Sequence, residues 1–365
     1  MKILQVCSRY FPNIGGVETY VRNISERLIR KFDLLVYTTD PSGKLPREEV
    51  VNGVKIRRFK SWAPNEAYYF PHPNMLSGLS TEPADIIHTH NIHTLTTFLT
   101  YAVHKSRSNS KFIISPFYHG KGHTKLAQML WLPYRPLAKK ALNNADGIIF
   151  NSKAQRALVE KTFGPSSKMF LVYDGVNIDG IKNAALLNLS GKIKILLYVG
   201  RLEKYKNVHI TIAAMRHLPD DYHFYIVGTG PFRSFLENQV NSLGLQNRVH
   251  FLGFQSDNSV FQWLKTANVF VHLSNVESFG MTCIESLAAG TPVIANDDGF
   301  GLSETIALYP KHIRVFSVSR DNVSRLVELI MEVSKLKPIT ADVSRFSWDC
   351  IAESIGKVYE RILED

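Results

Sequence analysis

Short apolar runs recur along the chain, and most are followed by a longer stretch whose apolar residues return every three or four positions. In the first half the runs fall near residues 3–7, 34–38, 54–59, 85–88, 112–115, 147–150 and 169–173. In the second half they fall near 195–199, 223–227, 249–252, 269–273 and 292–295. Continuous runs of this length mark strands buried on both faces. The stretches between them have helical spacing, as in Val17, Val21, Ile24 and Leu28, which share one face. Strand and helix alternating throughout predict an α/β chain of two doubly wound parallel sheets with crossover helices. The polar stretch 178–192, just after Asp174-Gly175-Val176-Asn177, is the expected break, giving domains 1–180 and 181–349. The segment from Phe346-Ser347-Trp348 through Leu363 reads as a strong helix. Open parallel sheets bind ligands at the carboxyl ends of their strands, so functional residues are expected just after strands.

A length of 365 residues fits two domains at about 100–200 residues each. No apolar run approaches the ~18 residues of a membrane span. The first residues, Met1-Lys2-Ile3-Leu4-Gln5-Val6-Cys7, enter a strand at once and are too short and interrupted for a signal peptide. Cys7, Cys283 and Cys350 lack metal-ligand spacing and read as thiols in a reducing, cytoplasmic compartment. Charge changes the picture more. Residues 1–180 hold 24 Lys and Arg against 13 Asp and Glu, whereas residues 181–365 hold 19 of each. The whole net charge of +11 therefore sits in the first half and favours an anionic partner there. No nucleic-acid motif accompanies it, so nucleic acid is not the expected partner.

Candidate chemistry concentrates in Glu277-Ser278-Phe279-Gly280-Met281-Thr282-Cys283-Ile284-Glu285, followed by Ser286-Leu287-Ala288-Ala289-Gly290-Thr291-Pro292. A strand pattern precedes it, and the helix that follows stops at Gly290 and Pro292. Gly280 then lies at a strand-to-helix turn, where free backbone N–H groups make an anion site. Glu277 falls before the turn and Glu285 one turn inside the helix. A single glutamate near a helix start commonly only complements the dipole. A turn glycine flanked by two carboxylates suits a ligand with phosphate at its centre and a sugar at each end, a nucleotide-sugar.

The string resembles the Glu-x7-Glu motif of retaining glycosyltransferases of family 4, the glycosyl transferases group 1. Ser278 stands where a glycine is usual, and Ser286-Leu287 where Ala-Met is usual. The resemblance spans nearly the whole chain. It implies the GT-B fold, two Rossmann-like domains facing across a cleft, with the terminal helix, about residues 350–365, packing back on the first domain. The first domain would take the acceptor and the second the nucleotide-sugar.

Further motifs fit the same family. Gly200-Arg201-Leu202-Glu203-Lys204-Tyr205-Lys206-Asn207 resembles its Gly-Arg-Leu segment, with Asn207 in place of glycine. Arg201 and Lys206 would hold the diphosphate and neutralise its growing charge. Gly15-Gly16, opening the first helix, would face the donor phosphate and acceptor, although a Gly-Gly pair alone often marks only a turn. His119, in Ser115-Pro116-Phe117-Tyr118-His119-Gly120, would orient the transferred sugar. His90 would support the site or pack. Val227-Gly228-Thr229-Gly230-Pro231 lacks the third glycine of a dinucleotide fingerprint, which argues against a dehydrogenase. The resemblance places Gly230 near the nucleotide and Phe254 at the base. Phe279, Gly280 and Met281 would line the phosphate turn, Glu285 would accept from the ribose, and Glu277 would accept from the sugar.

Asp297-Asp298 replaces a usual Gly-Gly and reads as a cleft loop; no metal and no cofactor are expected. The donor would be a UDP-sugar or GDP-sugar, and the acceptor a glycan or lipid-linked hydroxyl in cell-surface polysaccharide or glycoprotein glycan synthesis. No acid pair is placed for double displacement, and the resemblance implies a front-face mechanism. Residues 121–140 mix bulky apolar residues, including Met129, Leu130 and Trp131, with cations, as an interfacial segment does. An anionic membrane surface is thus a candidate partner, with the protein peripheral on its cytoplasmic face. Two other classes stay open: a non-catalytic nucleotide-sugar or glycan-binding protein, and a GT-B sugar phosphorylase or epimerase.

Overall fold

The computed structural model describes all residues except 14, 64–69, 107–109, 119, 121–124, 167, 190, 191 and 365, and at 125–128 and 130 only the backbone. The chain forms two compact units, Met1–Gly175 with Trp348–Asp365, and Val176–Ser347. The change of unit thus falls ahead of the polar stretch 178–192. That stretch opens with a helix of the second unit, Ile178–Asn183, capped by the Asn177 side chain with Ile178 and Ile181 buried. Six residues are too few to display a helical period, which is why the segment looks like a linker in the sequence.

Among the described residues, the first unit is built on nine strands: β1 (Lys2–Val6), β2 (Asp33–Asp40), β3 (Glu48–Val51), β4 (Val54–Trp62), β5 (Phe70–Pro71), β6 (Ile86–His90), β7 (Lys111–Ser115), β8 (Gly147–Phe150) and β9 (Met169–Leu171). Their order is β3-β4-β2-β1-β6-β7-β8-β9, with β5 on β4. β3 and β5 run antiparallel to β4; the other pairs are parallel. β6 and β8 are buried along their whole length, as strands covered on both faces must be. β3 departs from the sequence expectation. It is a short edge strand, joined to β4 by Asn52-Gly53, both at positive φ, a favoured hairpin turn.

The helix Trp348–Glu364 belongs to this unit and packs on the helix Gly16–Leu28. Its buried residues Ile351, Ala352, Ile355, Tyr359 and Ile362 recur every three or four positions. Tyr359 is also tied to the sheet by polar contacts. Its hydroxyl lies 2.7 Å from His88 Nδ1 and accepts from Gln5 Nε2 at 2.8 Å. His90 Nε2 meets Gln5 Oε1 at 2.6 Å. Both histidines are fully buried, and burial lowers both imidazoles, His90 to about 3. His90 therefore packs within this unit's core.

Among the described residues, the second unit has six parallel strands: β10 (Lys194–Val199), β11 (Tyr222–Val227), β12 (Val249–Gly253), β13 (Val269–His272), β14 (Val293–Ala295) and β15 (Ile313–Val315). Their order is β12-β11-β10-β13-β14-β15. β15, a three-residue edge strand centred on Arg314, also departs from expectation. Strand order reverses between β10 and β13, so their carboxyl ends flank a topological switch point, where open α/β sheets bind ligands. Among the described residues, no helix is long and apolar enough to cross a membrane.

Candidate active site

β10 leads through Gly200-Arg201-Leu202 into a single 3-10 turn, Lys204–Lys206. Asn207 ends that turn in the left-handed region, at φ 57°. Asparagine is among the few residues that tolerate this conformation, so it can stand where glycine is usual. Its side chain also does what glycine cannot. Asn207 Nδ2 donates to Leu273 O and to Asn275 Oδ1, both at 2.8 Å. Asn275 N donates back to Tyr205 O at 2.9 Å. Three hydrogen bonds thus tie the loop after β10 to the loop after β13.

This tie brings Lys206 and Glu277 together. Lys206 Nζ is ion-paired with Glu277 Oε1. His272 Nε2, at the end of β13, reaches the same oxygen at 2.8 Å. The Glu277 side chain is 17% exposed and that of His272 only 3%. Burial alone would push the Glu277 carboxyl up. His272 and then Lys206 outweigh it and hold the group down at about 2. Oε2 has no hydrogen-bond partner among the described residues and can accept from a ligand.

Asp298 braces the same loop from the other side. Its Oδ2 accepts from Glu277 N at 3.0 Å, and its Oδ1 from Phe300 N at 2.8 Å and Ser303 N at 3.2 Å. Asp297 Oδ1 accepts from Gly299 N at 3.3 Å. Both acids are thus engaged within the loop itself. Among the described residues, no group of three His, Cys, Asp or Glu could hold a metal ion.

Gly280 begins the helix Met281–Ala288 at φ 85°, with no side-chain cap. A Cβ there would also come within 2.7 Å of Leu302 Cδ1, so the turn demands glycine on two counts. The first N–H groups of an α-helix have no intrahelical acceptor, leaving those at Met281 and Thr282 for an anion. Met281 is half-buried. Glu285 lies one turn in, also half-buried. Burial first, then Asp257, push its carboxyl up to about 7.

Not every candidate joins this cluster. Phe279 is 1% exposed, with its ring 5.5 Å from that of Phe346. It is a core residue and cannot offer its side chain to a ligand, contrary to the sequence expectation. Arg201 is 72% exposed and paired with Glu203 at 2.8 Å. A Cβ at Gly230 would lie 2.3 Å from Leu202 O, so its bareness already serves the packing of two loops. Phe254 is 69% exposed. In the first unit, Gly15 precedes the helix Gly16–Leu28 in extended conformation. A Cβ there would meet the Glu18 carboxylate, which pairs with Arg9 at 2.9 Å. Gly16 faces open space. His119 lies outside the described residues. Trp131, expected to face a membrane, instead packs inward on His93 and Tyr118, with ring centroids at 4.7 and 5.8 Å. The Leu130 side chain lies outside the described residues.

The model described as Glycosyl transferases group 1 matches residues 182–345, and that described as Glycosyltransferase Family 4 matches residues 14–179. The GDP-mannose:cellobiosyl-diphosphopolyprenol alpha-mannosyltransferase of Komagataeibacter xylinus is 22% identical over 387 residues, covering 100% of this chain and 94% of its own. The alpha-monoglucosyldiacylglycerol synthase of Streptococcus pneumoniae is 25% identical over 320 residues, covering 82% and 72%. Among solved structures, a sucrose-phosphate synthase from Thermosynechococcus elongatus matches with a TM-score of 0.77 over 100% of both chains at 21% identity, a likeness of fold. With the two models together spanning almost its whole length, the chain belongs to the group 1 glycosyl transferases of glycosyltransferase family 4, and its fold is GT-B.

Proposed function

We propose that this glycosyltransferase moves a sugar from a UDP-sugar or GDP-sugar to an acceptor hydroxyl with retention of configuration, and needs no metal ion. The observation that carries this reading is the ionised, braced Glu277. It keeps one free oxygen beside Lys206, at the switch point of a parallel sheet and before an uncapped helix N-terminus. Glu277 Oε2 accepts from the sugar hydroxyls, and Glu285 from the ribose. His119 orients the sugar. Phe254 meets the base. As the anomeric C–O bond breaks, negative charge grows on the diphosphate. Lys206, the N–H groups at Gly280-Met281 and a reoriented Arg201 stabilise it. The leaving phosphate oxygen takes the proton of the hydroxyl that attacks from the same face. Incubation with UDP- and GDP-sugars and a lipid-linked acceptor, with and without EDTA, is the test. Transfer that survives EDTA is expected; an absolute need for Mn²⁺ or Mg²⁺ overturns the metal-free part.

The acceptor is proposed to be lipid-linked and met at the cytoplasmic membrane face. Both relatives named above carry a lipid in their names. The helix Lys125–Asn143 turns Met129, Leu132 and Leu137 outward, at 61, 68 and 37% exposed, among the exposed cations Arg135, Lys139 and Lys140. Each basic side chain near an anionic leaflet contributes ~1 kcal/mol. Co-sedimentation with vesicles containing anionic lipid is expected at low salt and should weaken as salt screens the charges. A protein that ignores such vesicles at low salt has no membrane-facing helix.

A further inference from the structure

We infer that His272 is a positioning residue that anchors Glu277 independently of Lys206, freeing Lys206 to leave the carboxylate for the donor's diphosphate. The inference rests on the roles just proposed for Lys206 and Glu277. It starts from a redundancy: among the described residues, two donors meet one carboxylate oxygen while the other oxygen has none. An ionised carboxylate only accepts, so His272 Nε2 carries the proton. Among the described residues, His272 Nδ1 is buried without a partner. The ring therefore makes a single directed bond, to Glu277.

The two donors differ in freedom. The His272 ring is held parallel to Tyr198 at 6.1 Å and to Phe270 at 5.8 Å, both within 16° of coplanar. Lys206 carries its ammonium on a flexible four-carbon stem with three donors. A diphosphate arriving beside Lys206 competes for that ammonium and repels Glu277. With Lys206 as the sole partner, the carboxylate would swing away at the moment the sugar needs it. His272, at the side chain, and Asp298, at the backbone N–H, hold it in place. Misplacing a positioned group by ~1 Å can cost about 10²-fold in rate, which sets the effect to look for.

The test pairs a spectroscopic readout with kinetics. In the ¹⁵N-histidine-labelled protein, the His272 Nε2–H resonance should be present, and should persist in Lys206→Ala and on saturation with UDP or GDP. Its loss in either case overturns the inference. Kinetically, His272→Leu should lower kcat about 10²-fold while leaving the Kd for UDP or GDP within about threefold. His272→Gln, whose amide can donate from the Nε2 position, should recover most of the loss. Wild-type turnover in His272→Leu overturns the inference while leaving the roles of Lys206 and Glu277 standing. If His272→Leu does not fold, His272→Gln and the resonance decide. Should the wild type transfer sugar from no donor, the proposed function fails, and the Nε2–H resonance still judges the anchor.

Discussion

Glu277 and Glu285 stand eight positions apart in one motif, and their surroundings drive them in opposite directions. Glu277, in the loop before the helix, meets two donors on one oxygen and is held down at about 2. Glu285, one turn inside the helix, has burial and Asp257 against its charge and is pushed up to about 7. Glu277 is therefore a permanent acceptor, while Glu285 changes state around neutrality. Environments that separate the titrations of two like groups commonly divide their roles. On the proposed function, the division would follow the ligand's two ends. A sugar beside a bond about to break needs a carboxylate that never protonates. A ribose far from the chemistry needs only an acceptor that becomes charged, or stays so, when the hydroxyls arrive.

The largest effect should come from Glu277→Gln, which keeps the shape and removes the charge. Transfer should fall about 10²–10³-fold, as when one transition-state stabiliser is lost, with nucleotide affinity little changed. Glu285→Gln should act mainly through donor affinity. Steady-state kinetics on both variants sharpen the contrast; a kcat defect confined to Glu285→Gln would reverse the assignment.

Next in size is a pH effect on binding. If Glu285 accepts from ribose as a carboxylate, nucleotide affinity should drop about tenfold between pH 8 and pH 6 as the group protonates through about 7. Calorimetric titration should show that slope in the wild type and in Glu277→Gln, and a flat profile in Glu285→Gln. A slope that survives Glu285→Gln breaks the comparison.

The smallest effect concerns stability without ligand. The folded value of Glu285 lies above its unfolded 4.5, so its contribution is fully present below pH 4.5 and is lost as pH rises through about 7. Glu285→Gln should therefore exceed the wild type at pH 8, by about 1–2 kcal/mol after allowance for partial exposure, with the difference shrinking as pH falls and vanishing only below about pH 4.5. Glu277 has the opposite sign. Its contribution is present above 4.5 and is lost only as pH falls through about 2, so Glu277→Gln should be the less stable variant at neutral pH. Thermal melts across pH 4–8 separate the two.

Much of the site is legible along the chain. Lys206, Glu277 and Gly280 sit in loops after strands and Glu285 one turn into the helix that follows, in spacings that the proposed nucleotide-sugar would explain. His272 is not legible, because it lies inside an apolar run and looks like any strand residue. Asp298 and Asn275 make contacts that depend on how three separate loops fold over one another. Phe279 misleads for the converse reason. It stands at the centre of the motif, yet the left-handed turn at Gly280 leaves it facing the core. Trp131 misleads likewise, since an amphipathic segment does not announce which of its aromatic residues is the inward one. The strands β3 and β15 escape notice because short edge strands carry little apolar signal.

The sequence by itself determined two parallel-sheet units, the loops that hold the candidate residues, and the residue types within them. These follow from local periodicity and from turn residues, each of which acts over a few positions. Only the tertiary structure decided that Lys206 and Glu277, 71 positions apart, share an ion pair, that His272 completes it, and that two glutamates of one motif titrate so far apart. The physical reason is range. Helix and strand preferences are set by near neighbours, whereas ion pairing and desolvation depend on whatever the folded chain brings within a few ångströms.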